Sequence, residues 1–201
     1  IAIPSAVGLA VLAAPISNLL FPGRDNTDLI KMTCYGSSAV VVYSLSTVTN
    51  AVLQGINRMK TPIRNAGISL VLHTVILFVM LRYLHMGIYG VLYANILFAL
   101  FICILNARSI ARFKRYRQEV KKTFLIPMVA SAVMGAAAFG VYRAAYSVFG
   151  NLISTGISVF VAVLVYFVLL ILLKGVDAQE LRSMPGGTRL SGLARKLHLM
   201  R

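Results

Sequence analysis

Residues Tyr43 to Arg64 read YSLSTVTNAVLQGINRMKTPIR, and the rest of the chain can be ordered around them. Tyr43, Thr47, Asn50, Gln54 and Asn57 recur at steps of four, three, four and three. At ~100° per residue these steps keep all five on one narrow strip of a helix. The opposite side carries Val41, Leu45, Val48, Val52 and Ile56. Uncharged hydrogen-bonding groups on one strip of an apolar helix should face other helices or a water-filled cavity, not lipid. Arg58, Lys60 and Arg64 follow at once, and Pro62 among them is expected to break the helix.

Composition places that helix in a membrane. Apolar residues make up 59% of the 201 and charged residues 12%, whereas a soluble domain carries about a quarter charged residues. The chain opens on Ile inside an apolar run, Ile1–Phe21, that is too long for a signal core and has no basic stretch before it. It therefore reads as the later part of a longer protein. A net charge of +15 would suit nucleic acid, but the distribution of the cations argues for membrane topology and against a nucleic-acid partner. Cys34 and Cys103 fall in apolar stretches with neither CxxC nor metal-ligand spacing. Both are expected as buried small hydrophobes, and no metal or cofactor site is expected.

Six apolar stretches approach the ~20 residues that a spanning helix needs: Ile1–Phe21, Met32–Asn57, Ala66–Leu84, Gly87–Asn106, Phe124–Tyr142 and Leu152–Leu173. None shows the alternation of a barrel strand. The expected fold is an all-α polytopic membrane helix bundle with six transmembrane helices. Four spans occupy residues 1–106 and two occupy 124–173, with a basic interfacial segment at 107–123 and a basic tail at 174–201. The turns after spans two and four and the tail hold sixteen of the 20 Lys and Arg residues; Arg24, Lys31, Arg82 and Arg143 lie on the other side. By the positive-inside rule the C-terminus is expected in the cytoplasm, and the expected location is the plasma membrane, as a multi-pass protein.

Individual residues refine this picture. Pro15 cannot donate to the Val11 carbonyl, so span one should kink. His73 in span three lacks an acidic partner in any expected span, which favours an interhelical hydrogen bond over a proton relay. Gly87 and Gly90 should let backbones approach, while Asn95 and Asn106 read as packing groups. Between residues 107 and 122, Ile110, Phe113, Tyr116 and Val120 form an apolar face among basic residues. Arg112, Arg115, Lys121 and Lys122 are the expected contacts of this segment with anionic lipid headgroups.

The order of these features resembles the polysaccharide-flippase branch of the multidrug/oligosaccharidyl-lipid/polysaccharide exporter superfamily, and most nearly its stage V sporulation protein B group. IAIPSAVGLAVLAAPISNLLF, AVLQGINRMKTPIRNAG and MGIYGVLYANI carry the likeness, which covers the chain to about Leu173. The LQG…P element is the most specific, because it joins a polar helix end to a basic turn with proline. The resemblance implies a 14-helix, two-lobe transporter of which these spans are helices nine to fourteen. It also implies that the last two spans form a groove for a polyprenyl tail, and that the absent N-terminal lobe is a partner.

On that resemblance the expected function is export of a lipid-linked saccharide, a polyprenyl-diphosphate-linked cell-wall or polysaccharide precursor, by alternating access. Sporulation enters through the resemblance alone. Asn50, Gln54 and Asn57 would offer neutral partners to the headgroup, and Arg58 a cation at the cytoplasmic mouth; simple interhelical packing is the competing account of the strip. A drug/cation antiporter of the same superfamily is the alternative, although such transport usually needs a carboxylate within the membrane. A non-transport role in assembling the cell envelope is a further one. An enzyme is not expected, since the spans offer neither an acid–base pair nor a metal site.

Overall fold

The computed structural model describes residues 1–113 and 124–173. Among these residues the chain is all helical: α1 (Ala2–Val11), α2 (Ala13–Leu20), α3 (Thr27–Gly55), α4 (Lys60–Arg82), α5 (Gly87–Phe113) and α6 (Ile126–Leu172). Four of these helices, α3 to α6, are long and apolar enough to cross a membrane. Helices α1 and α2 meet the same test only together, as a bent pair that is either a broken span or a re-entrant loop. The chain divides into two compact units, one holding α1 to α5 and the other α6.

Local chemistry explains where these helices start and stop. The 68° bend between α1 and α2 falls at Leu12, three residues before the proline that withholds an N–H from the preceding turn. The buried Asn26 side chain then donates to the Phe21 carbonyl at 2.8 Å and to Asn18 Oδ1 at 3.1 Å. That ties the end of α2 to the start of α3. Helix α3 starts five residues before the expected Met32, because Asp25 Oδ1 accepts from the Thr27 backbone N–H (3.0 Å) and hydroxyl (2.6 Å). The earlier start draws Asp28 into the first helical turn, where a carboxylate suits the helix dipole.

The other end of α3 corrects two expectations. The helix stops at Gly55, and Asn57 takes φ +59°. The Asn57 N–H donates to the Gln54 carbonyl (2.9 Å) and the Arg58 N–H to the Leu53 carbonyl (2.9 Å). This double closure is the Schellman arrangement, with asparagine at the left-handed position that few residues other than glycine tolerate. Asn57 therefore ends the helix and does not extend the strip. Pro62 breaks nothing: it is buried in the first turn of α4, where its missing N–H would have had no intrahelical partner.

Helix α5 lies between α3 and α4, parallel to the first and antiparallel to the second, and packs along both. Fully buried Ala94 and Ala99 permit that approach. At Gly90 an added Cβ would lie 3.2 Å from Met80 Cβ and 3.3 Å from Met86 Cβ, so only glycine fits the α4–α5 turn there without displacement. Helix α5 also continues through Asn106 to Phe113, so residues 107–113 of the expected interfacial segment prolong it.

At 47 residues α6 would measure ~70 Å if straight, more than twice the hydrocarbon core. It is interrupted at Gly150, which takes φ 71° and ψ −178°. Tyr142 Oη donates to Asn151 Oδ1 at 2.9 Å. In a straight helix residues nine apart are separated by ~13.5 Å along the axis, so this bond accords with a kink at Gly150. The two arms correspond to the last two expected spans, and the first arm runs on past the expected end at Tyr142. Small residues form the buried side of each arm, among them Ala130, Ser131 and Ala138 in the first and Ser154, Ser158 and Ala162 in the second. The Ser131 and Ser154 hydroxyls have no hydrogen-bond partner among the described residues.

Candidate functional site: a polar seam along α3

Helix α3 meets α5 along a line that includes buried Ser46 and Leu53. Asn50 lies between that line and a second line, Tyr43, Thr47 and Gln54, all three exposed. The polar strip is therefore split lengthwise, one edge packed against α5 and the other open. On the far side of the helix, Val48 (59% exposed) and Val52 (42%) are open too. Helix α3 thus presents two unlike exposed faces, one polar and one apolar.

The packed edge ends in a hydrogen-bonded clasp. Fully buried Asn106 of α5 donates through Nδ2 to Asn50 Oδ1 at 2.6 Å and to Thr49 Oγ1 at 3.3 Å. Its Oδ1 accepts from Asn65 Nδ2 of α4 at 2.9 Å. Asn65 Nδ2 also lies 3.2 Å from Ser109 Oγ, and the Ser69 hydroxyl returns to the Asn65 carbonyl at 2.9 Å. Three helices are joined through one amide. The alternative for such groups in an apolar bundle is a buried polar atom without a partner, which is costly.

Two further contacts follow α5 towards its start. His73 Nδ1 is 3.1 Å from the Ala94 carbonyl, and its ring meets Phe98 edge-on at 5.4 Å. This is the interhelical bond expected of a membrane histidine without a carboxylate partner. Tyr43 Oη approaches the Asn95 carbonyl at 3.5 Å, while the Asn95 residue itself is exposed.

The sequence-derived candidates thus fall into separate places. Asn50 belongs to the clasp, Gln54 to the exposed polar line, and Asn57 to the turn that ends α3. Arg58 is exposed immediately after that turn and makes a contact of its own. Arg112 is exposed near the end of α5. Arg115, Lys121, Lys122 and the tail at 174–201 lie outside the described residues. Cys34, expected as a buried hydrophobe, is exposed on α3, and Cys103 is half-buried.

Sequence reasoning overlooked Asn65. With span three started at Ala66, the apolar run excluded it. The signal was nevertheless there: Asn65, Ser69 and His73 recur every four residues and share one face of α4. Among the described residues, no three His, Cys, Asp or Glu side chains come together as a metal site would require. No family model, curated protein or solved structure matches the chain.

Proposed function

We propose that this chain forms part of a membrane transporter that moves a lipid-linked saccharide, a polyprenyl-diphosphate conjugate destined for the cell wall or a surface polysaccharide. It would work by alternating access across the plasma membrane, with the C-terminus in the cytoplasm. The observation that carries the reading is the open polar line Tyr43, Thr47 and Gln54 on a helix long and apolar enough to span. Such groups are costly against lipid. Because the Tyr43 and Thr47 hydroxyls donate to the Asn95 and Tyr43 carbonyls (3.5 and 3.0 Å), it is above all the exposed Gln54 amide that calls for a wet path or a polar partner. A neutral line of hydroxyl and amide groups suits a sugar headgroup, and Arg58 at its end suits the diphosphate. The polyprenyl tail stays in lipid, beside apolar surface such as that of α6, while the head crosses. The sixteen-to-four distribution of Lys and Arg supports the orientation, in which Arg112, exposed near the end of α5, would meet anionic headgroups.

Gln54 is the residue to test, because Asn50 is committed to the clasp and Asn57 to the turn. In the full-length protein reconstituted in liposomes, Gln54→Leu should leave insertion and helix content unchanged. It should slow flipping of a fluorescent polyprenyl-diphosphate saccharide by about tenfold, the effect of losing one substrate contact near 1.4 kcal/mol. Unchanged flipping would remove Gln54 from the path. A wild-type protein that moves no such lipid would end the transport reading.

A further inference from the structure

At the end of the bundle where α3 and α5 begin, four side chains gather that the polar seam does not include. Tyr89 Oη of α5 donates to Asp28 Oδ1 of α3 at 3.0 Å. About two turns further along α3 and one along α5, the rings of Tyr35 and Tyr93 lie 6.5 Å apart, tilted by 39°. Tyr93 also follows Tyr89 by about one turn of α5. Asp28 is exposed and Tyr35 is 49% exposed, so the group opens outward from the bundle.

We propose that Asp28, Tyr35, Tyr89 and Tyr93 form a binding site for a neutral saccharide. Each part has a function in that chemistry. An open tyrosine ring offers an apolar face to the C–H side of a pyranose and loses little conformational freedom on binding. A carboxylate takes short, charge-assisted hydrogen bonds from hydroxyl groups. The Tyr89 hydroxyl holds that carboxylate in place beside the rings, so the site is organised before a ligand arrives.

The competing occupant of an aromatic group with one carboxylate is an organic cation. Local charge disfavours it. Arg24, Lys31 and Arg82 lie at this end of the bundle, against the carboxylates of Asp25 and Asp28. Lys31 stands one helical turn from Asp28, and Tyr89 already donates to one carboxylate oxygen. Three cations against two carboxylates leave this end with a formal charge of +1, which offsets the pull of Asp28 on a cation and leaves a neutral polyol unaffected. The inference depends on the transport reading only for what the saccharide is attached to.

Three of the nine tyrosines in this chain lie at the site, so a ligand-dependent change in emission that Tyr35→Ala diminishes is assigned to it. The full-length protein in lipid nanodiscs would be titrated with chitotriose, with cellotriose and with tetramethylammonium chloride. Saturation-transfer NMR would follow the same samples. At least one trisaccharide should bind saturably, with a Kd on the order of 1 mM. Tyr35→Ala should weaken it about five- to tenfold and Tyr35→Phe hardly at all. Because Tyr35 is half open, its truncation leaves no core cavity, and unchanged helix content confirms a folded variant. Asp28→Ala should weaken binding, whereas Asp28→Asn, which can still accept, should cost less.

Failure of both trisaccharides to bind saturably would overturn the assignment. So would binding that Tyr35→Ala and Asp28→Ala leave unchanged. Tetramethylammonium binding that Asp28→Asn abolishes would make this a cation site and refute it equally. Trisaccharide binding here without movement of a lipid-linked saccharide would sink the transport reading alone. Flipping that proceeds with no trisaccharide bound at these residues would sink this inference alone.

Discussion

Replacing Asn106 by leucine should be among the most damaging single changes in the α1–α5 unit. Leucine shares asparagine's branching at Cγ but is bulkier, so some overpacking adds to the polar loss at this fully buried position. The substitution removes the hydrogen bonds to Asn50, Thr49 and Asn65. At an average of ~0.6 kcal/mol for an interhelical bond inside a membrane, three bonds contribute about 2 kcal/mol. Leaving Asn50 Oδ1 and one Asn65 amide proton without partners adds another ~1 kcal/mol, since Asn65 keeps Ser109 and Asn50 is half-buried. A total of about 3 kcal/mol is expected. Reversible unfolding of the reconstituted protein by denaturing detergent, followed by circular dichroism, would measure it. A double-mutant cycle provides the sharper test: once Asn106→Leu is in place, Asn50→Leu should cost nearly nothing or recover stability. Additive losses, or a loss below about 0.5 kcal/mol for Asn106→Leu, would refute the clasp as a stabilising device.

Two smaller perturbations follow from helix ends. At Asn57, with φ +59°, valine should destabilise the end of α3 by about 1–2 kcal/mol, while glycine should be neutral or better; thermal unfolding of the two variants in parallel checks the order. Asp25 sits in the turn before α3 and accepts two hydrogen bonds from Thr27, which hold its carboxyl below the ordinary 3.8. A carboxyl with a lowered folded pKa adds stability above its unfolded value and loses it as pH falls through the folded one. The wild type should therefore unfold slightly later than Asp25→Ala at pH 7, and that small lead should shrink below pH 3.8.

The helical membrane fold was legible because apolar runs near ~20 residues admit few other structures. Helix ends were less legible, because hydropathy does not set them. A polar hydrogen bond at Thr27 starts α3 outside the apolar run, and a left-handed asparagine stops it before the proline that seemed to do so. The strip was correctly seen as polar, but periodicity could not say which edge of it would pack. That depends on Asn106 and Asn65, which lie 56 and 15 residues from Asn50 along the chain. Asn106 was recognised as a packing group, yet its partners were set by the parallel run of α3 with α5, which no local pattern records.

If the polar line of α3 lies in a transport path, its exposed polar side borders water or polar matter while its exposed apolar side borders lipid. Single cysteines at Thr47, Gln54, Val48 and Val52, placed in a full-length protein with Cys34 and Cys103 replaced, test it with a membrane-impermeant thiol reagent. Positions 47 and 54 should be labelled and 48 and 52 protected. Equal labelling, or equal protection, of the two pairs would contradict the account.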